Sequence, residues 1–259
     1  MQIQSPQNPQ IKHLSKLLAE RKHRREHGQT VLEGAHLLTT YLDAGKQPER
    51  IYIPESRLTQ PEIQKLLFRL PTEQVTTVSD GILKKISSLD NADDIMALIN
   101  LPPQTQPENT DCIVLERVQD AGNVGTVLRS AAASGIRTVI LGEGCADAYA
   151  PKVLRAGMGA HFLLNIHERV NLAQWRSQYS HRVLATALTK QNNYSLYELD
   201  LRQPSAWLFG NEGAGVSAEM LVAATFSVKI PMLGETESLN IAMAATVCLF
   251  EQMRQRIAA

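Results

Sequence analysis

The chain has 259 residues, of which 44% are hydrophobic and 20% charged. That globular composition excludes wholesale disorder and a fibrous repeat, and it leaves room for one or two packed domains. Lys plus Arg total 26 and Asp plus Glu total 26, so net charge points to no nucleic-acid partner.

In chain order the first element is a helix. Asn8 suits its cap, Pro9 its first turn, and Ile11, Leu14, Leu17 and Leu18 keep helical spacing. Lys12, Lys16, Arg21, Lys22, Arg24 and Arg25 share this segment, with only Glu20 before Arg25 to oppose them. The pattern predicts an apolar stripe docked on the protein and basic residues facing out. A solvated helix and a phosphate-contacting arm both fit it. Strands at 30–33, 50–54, 75–79 and 94–100 then alternate with helices at 36–44, 61–70 and near 81–88, which predicts a small α/β layered domain without a catalytic constellation. Residues 101–111 hold three prolines in a polar stretch and read as a linker. The expected division is a domain over 1–100, this linker, and a second domain over 112–259.

The second domain alternates too. Strands are expected at 112–118, 138–141, 162–166, 183–188, 206–209 and 226–230, with helices at 124–134 and 239–256. A mainly parallel sheet covered by helices follows. The apolar stretches are too short to cross a bilayer, and Met1-Gln2-Ile3-Gln4-Ser5-Pro6 does not resemble a signal peptide. Cys112, Cys145 and Cys248 form no CxxC pair, which favours a reducing compartment and a soluble cytoplasmic protein.

GxxxxGK[ST], HExxH and GxSxG are absent, and the seven histidines show no metal-ligand spacing, so no metal is expected. Three junctions carry unusual polar content. The first runs from Gln119 to Arg129. Asn123 sits where a cap is wanted, and Val124, Val127, Leu128 and Ala131 form the buried stripe of the following helix. Arg129 is either a surface residue or a guanidinium reaching over a cleft at the strand ends. The second is Gly210-Asn211-Glu212-Gly213-Ala214-Gly215-Val216 after a hydrophobic strand. Three glycines there indicate a sharp bend or a close approach, with Glu212 held on the loop to accept hydrogen bonds or to orient an arginine. The third runs from Ile230 to Ala242. Ser238 is a credible cap for the last helix, Glu235 and Glu237 suit its dipole, and Asn240 lies in its first turn.

In this order the motifs Asn123-x-Gly125-x-x-x-Arg129, Gly210-Asn211-Glu212-Gly213-x-Gly215-Val216 and Ile230-Pro231-Met232 through Ser238-Leu239-Asn240 resemble the SpoU or TrmH family of RNA ribose 2′-O-methyltransferases, within the SPOUT superfamily. Leu32-Glu33-Gly34-Ala35-His36-Leu37-Leu38 is similar to the substrate-binding domain that precedes the catalytic domain in many members. The resemblance implies an α/β fold with a C-terminal trefoil knot, an exception to the unknotted rule, and a homodimer with its cofactor site near the interface. It implies S-adenosylmethionine held by Gly210, Ile230 and Leu239, with Thr186, Ala187 and Met232 as neighbours, and Arg129 beside the ribose 2′-hydroxyl. Asn123, Glu212, Ser238 and Asn240 would then orient Arg129, the ribose and the loops, and Lys12, Lys16, Arg21, Lys22, Arg24 and Arg25 would contact RNA, ribosomal before transfer RNA. Two departures stand out: Ala242 and Met243 follow Asn240-Ile241 where many members carry Ser or another small residue after an Asn-Val pair, and the segment 88–94 is acidic. A non-catalytic RNA-binding protein and a methyltransferase for small molecules or protein are the alternatives.

Overall fold

The computed structural model describes residues 2–87, 95–187, 193–236 and 238–258. The acidic segment 88–94 and Glu237 lie outside the described residues. Two compact units form: the chain up to Pro103 together with Tyr149–Phe162, and Gln104–Ala148 together with the chain from Leu163 onward.

The first unit is built on five strands, β1 (Gln2–Ile3), β2 (Gln29–Glu33), β3 (Arg50–Pro54), β4 (Val75–Val78) and β5 (Met96–Asn100), in the order β1-β4-β3-β5-β2. β5 is antiparallel to β2 and β3, and the other pairs are parallel. Helix α1 (Pro9–Ala19) starts as its sequence predicts, with the Asn8 side chain accepting from the Gln10 N–H at 2.9 Å. It buries Ile11, Leu14, Leu17 and Leu18 in the core with Val31, Tyr52 and Met96.

The basic segment is not one helix. The backbone turns extended at Glu20 (φ −116°, ψ 115°), and a separate α2 (Arg21–His27) ends at Gly28 in the left-handed region. Nor do all its cations face out. Arg24 is 4% exposed and its guanidinium donates to the carbonyls of Leu17 and Leu18. Those carbonyls belong to the last turn of α1, where the helix supplies no partner, so Arg24 closes α1 and is corrected from surface contact to internal cap. Lys12, Lys16, Lys22 and Arg25 are exposed and Arg21 is half-buried. Helices α3 (Ala35–Asp43), α4 (Pro61–Leu67) and α5 (Ile82–Ile86) complete the layers.

The second unit holds a seven-stranded sheet, all parallel, of β6 (Cys112–Leu115), β7 (Thr138–Gly142), β8 (Asn165–Val170), β9 (Arg182–Thr186), β10 (Asn193–Ser195), β11 (Ser205–Phe209) and β12 (Phe226–Lys229), in the order β10-β12-β9-β11-β6-β7-β8. The central strands β6, β7 and β11 are buried at every residue, the pattern of a parallel sheet covered on both faces. Helix α6 (Ala121–Ser134) joins β6 to β7. Between β7 and β8 the chain gives α7 (Pro151–Gly157) to the first unit, where the Tyr149 carbonyl accepts from Thr30 Oγ1 at 2.9 Å. The expected strand at 162–166 therefore begins later, after a 3-10 turn at Ala160–Leu163. Helices α8 (Leu172–Gln178), α9 (Ala218–Ala223) and α10 (Ile241–Ile257) follow. α10 packs on α6, where Ser130 and Thr246 share a hydroxyl hydrogen bond of 2.7 Å. No helix among the described residues is long and apolar enough to cross a membrane.

A buried amide locks α10 to the sheet. Gln252 accepts from the Trp207 indole N–H at 2.8 Å and donates to Ser205 Oγ at 3.1 Å, and all three are at most 1% exposed. Gln252→Leu leaves the indole N–H without its acceptor in a dry core. It should cost about 1–3 kcal/mol of stability, read as a lower urea midpoint.

Candidate active site

Parallel pairing carries the C-terminal ends of β6, β9, β11 and β12 to one edge of the sheet, where ligands of open α/β sheets collect. The loop after β11 has the tightest geometry. A Cβ on Gly210 would stand 2.1 Å from Gly215 C and Val216 N, so no larger residue fits. Asn211 and Gly215 exchange backbone hydrogen bonds of 3.0 and 2.9 Å, and Gly215 adopts φ +68°. The Asn211 side-chain oxygen accepts from the N–H groups of Gly213 and Ala214 at 2.9 and 3.0 Å, while its amide donates to the Arg117 carbonyl at 2.9 Å. The hairpin is thereby closed on itself and tied to the loop after β6. The expected sharp bend and close approach are both present.

Two caps differ from the sequence reading. Asp120, not Asn123, caps α6, its carboxylate accepting from the Asn123 N–H at 2.7 Å. Asn240, not Ser238, caps α10, accepting from the N–H groups of Ala242 and Met243 at 2.9 and 3.4 Å. Asn240 therefore precedes the first turn, and Glu235 lies well ahead of the helix. Each correction frees a side chain: Asn123 is spared from capping, and Ser238 stays exposed on the loop.

The freed Asn123 amide joins the three junctions. It donates to Glu212 Oε1 at 3.2 Å, and its oxygen accepts from Asn240 Nδ2 at 3.0 Å. Glu212 also accepts from the backbone N–H of Asp120 at 3.2 Å and of Gln119 at 3.5 Å. Burial by itself would raise the Glu212 pKa. The hydrogen bonds from its own backbone, Asn123, Asp120 and Gln119 outweigh burial and hold the carboxyl below its usual 4.5.

Beside this network lies a cavity of about 680 Å3, within the usual range for small-molecule sites. Thr186, Ala187, Gly210, Ile230, Met232 and Leu239 all line it, as do Glu212, Ser238 and Asn240. Apolar walls come from Val216, Leu221, Val228 and Ile241 as well. Thr186 Oγ1 donates to the Leu208 carbonyl at 3.3 Å, joining the ends of β9 and β11. Asn123 touches the cavity through Asn240 and Glu212. Arg129 is not brought in: it is exposed on α6, outside the lining, with no hydrogen bond or ion pair among the described residues. Burial pushes the Cys112 thiol up to about 12 and raises that of Cys248 as well, so neither is poised as a nucleophile.

Sequence reasoning passed over Glu116 and Lys229. Glu116, 8% exposed at the end of β6, accepts from the Ser217 N–H at 2.8 Å and fixes the start of α9. Its signal was a carboxylate directly after an apolar strand. Lys229 ends β12 and adds a cation to the cavity wall.

Residues 111–250 match the model of the SpoU rRNA Methylase family, and residues 8–97 match the MRM3-like substrate binding domain. The chain is 36% identical to an uncharacterized tRNA/rRNA methyltransferase of Synechocystis sp., covering 99% of this chain and 95% of that one. It is 29% identical to a 23S rRNA (guanosine(2553)-2′-O)-methyltransferase of Bacillus subtilis, covering 96% and 98%. An AdoMet-bound rRNA methyltransferase from Sinorhizobium meliloti superposes with a TM-score of 0.82 at 27% identity, covering 98% and 97%.

Two predictions follow from the geometry. Gly210→Ala forces a methyl into backbone and should cost about 1–3 kcal/mol by overpacking, seen as a lower thermal midpoint. The folded-state pKa of Glu212 lies below its unfolded value near 4.5. The stability it contributes is therefore present above that value and is lost as pH falls through the lowered pKa. Glu212→Gln should flatten this acid limb in a pH series of unfolding midpoints.

Proposed function

The chain belongs to the SpoU rRNA methylase family, and on that footing we propose that it is an S-adenosylmethionine-dependent RNA ribose 2′-O-methyltransferase acting on structured ribosomal RNA, with transfer RNA second. The observation that carries this reading is the convergence of three distant sequence motifs on one cavity at the ends of parallel strands. The cavity suits the cofactor: it has the volume of a small-molecule site, apolar walls for a nucleoside at Val216, Leu221, Val228 and Ile241, and polar side chains of Thr186, Ser238 and Asn240 in its lining.

The cofactor supplies a sulfonium methyl that is already electrophilic, so the chain need provide neither a metal nor a covalent nucleophile. What it must provide is alignment of the ribose hydroxyl with the methyl–sulfur bond, worth several kcal/mol. Gly210, Ile230 and Leu239 hold the cofactor in this scheme, with Thr186, Ala187 and Met232 completing the pocket. Asn123, Glu212, Ser238 and Asn240 keep the loops and the ribose in register. Arg129, outside the cavity lining, is assigned to the ribose and its phosphate by its place in the family motif. A guanidinium is almost never deprotonated, so Arg129 positions the hydroxyl and stabilises the developing alkoxide, while the hydroxyl proton passes to solvent water as the O–C bond forms and the C–S bond breaks.

RNA selection falls to residues 1–100, with Lys12, Lys16, Lys22 and Arg25 as the exposed phosphate contacts and Arg21 at their margin. Residues 101–111 link this part to the catalytic part, 112–259. Recognition by shape, phosphates and 2′-hydroxyls tolerates a neutral net charge. The reading includes a cytoplasmic homodimer with the cofactor pocket near its interface, and a trefoil knot at the C-terminus. The insertion of β11 between β9 and β6 and the docking of α10 on α6 support the knot.

Incubation with methyl-labelled S-adenosylmethionine and unmodified ribosomal RNA, followed by digestion and mass spectrometry, should yield a labelled 2′-O-methyl nucleoside. Label on a base, or only on protein, would overturn the assignment. Arg129→Ala should abolish turnover while calorimetry finds cofactor affinity nearly unchanged. Lys12→Glu with Lys16→Glu should weaken RNA binding and lower its salt dependence by about 0.7–0.9 per lost phosphate contact.

A further inference from the structure

We propose that His13, His23 and His27 form a binding site for a divalent transition metal of the zinc class, in the first unit and independent of the transfer reaction. α1 supplies His13, and α2 supplies His23 and His27 one turn apart. One ring nitrogen from each lies within 4.8 Å of the other two. His13 Nδ1 stands 3.0 Å from His23 Nε2, and the ring centroids are 4.0 to 5.0 Å apart. Two nitrogens bound to one tetrahedral ion at about 2.0–2.1 Å are roughly 3.3 Å apart. The closest pair, joined by a hydrogen bond in the metal-free protein, stands within a few tenths of an ångström of that spacing, and an ion would take the place of the shared proton; His27 lies at the exposed side.

The outer nitrogens make the stronger argument. His13 Nε2 is 2.9 Å from Gln29 Oε1, and Gln29 is itself oriented by donating to Asn100 Oδ1 at 3.2 Å. His27 Nδ1 is 3.0 Å from the His23 carbonyl. Both partners are pure acceptors, so the N–H of each ring points outward and a lone pair is left facing the cluster. An imidazole whose far N–H is held by an amide or carbonyl oxygen is the usual arrangement around a protein-bound metal. Two of the three rings are held this way, and three histidine ligands leave a fourth position for water, as in open zinc sites. Lys16 and Glu20 are the charged neighbours of His23 and oppose one another in sign.

Linear spacing pairs His23 with His27 one turn apart but does not bring in His13, for a physical reason. On one continuous helix, His13 and His23 would lie about 15 Å apart along the axis. The break at Glu20 brings α2 back against α1 and gathers the three rings. A bound ion would then staple the two helices across that break and fix the spacing of the basic residues they carry.

The test uses the full-length protein, stripped with chelator and titrated with Zn2+ by calorimetry and with Co2+ by visible absorption. One equivalent should bind and raise the thermal midpoint. His23→Ala and His27→Ala should each weaken binding by at least about tenfold, and so should Gln29→Ala, which touches no metal but holds His13. His181→Ala, outside the cluster, should bind like the parent. Metal-free midpoints matching the parent confirm that the variants fold. Absence of stoichiometric uptake by the parent overturns the proposal. So does uptake that survives the histidine variants, or full affinity in Gln29→Ala, which would mark an adventitious surface chelate.

Discussion

One side-chain amide connects the parts of the candidate site. Asn123 donates to Glu212, 89 residues away, and accepts from Asn240, 117 residues away. An amide is suited to this place because it offers donors on one side and an acceptor on the other. Aspartate would repel Glu212, and alanine would leave both partners without it. The neutral bond to Asn240 is worth about 0.5–1.5 kcal/mol net and the charge-assisted one to the Glu212 carboxylate about 1.5–3 kcal/mol, so this triad contributes a modest part of global stability. Its effect is local: it sets where the hairpin after β11 and the start of α10 sit relative to α6, and so the shape of the cavity.

The sheet makes this meeting possible. Seven parallel strands send their C-terminal ends to one edge, and the order β9-β11-β6 places the hairpin after β11 directly beside the loop after β6. The hairpin holds its form with its own groups, through Asn211 and the Gly210 contact. The buried carboxylate of Glu116 and the Asp120 cap fix the neighbouring helix starts. The relay therefore links pieces that are each already rigid, which is what a preformed pocket requires.

Much of this was legible in the sequence because the signals were local. Asn8-Pro9 with the Ile11, Leu14, Leu17, Leu18 stripe specifies α1, and the glycines around Glu212 announce a bend that the Gly210 contact explains. The family motifs named the lining residues of the cavity before any strand order was known. What was missed depended on competition or distance. Asp120 and Asn123 both suit a cap, and only the presence of Glu212 and Asn240 decides that Asn123 is used elsewhere. Ser238 lost to Asn240 in the same way. Arg24 reads as one more surface cation until the break at Glu20 turns it onto the carbonyls of Leu17 and Leu18. That same break brings His13 to the His23–His27 pair, a proximity that spacing on a single helix would deny.

The triad of Glu212, Asn123 and Asn240 shapes the cavity as a unit. The most direct measurement is a double-mutant cycle on Asn123→Ala and Asn240→Ala, with S-adenosylmethionine affinity read by calorimetry. Residues in one hydrogen-bond network show coupling of about 0.5–3 kcal/mol, so the double variant should lose clearly less affinity than the two single losses added together. Strict additivity, or single variants that bind like the parent, would contradict the claim.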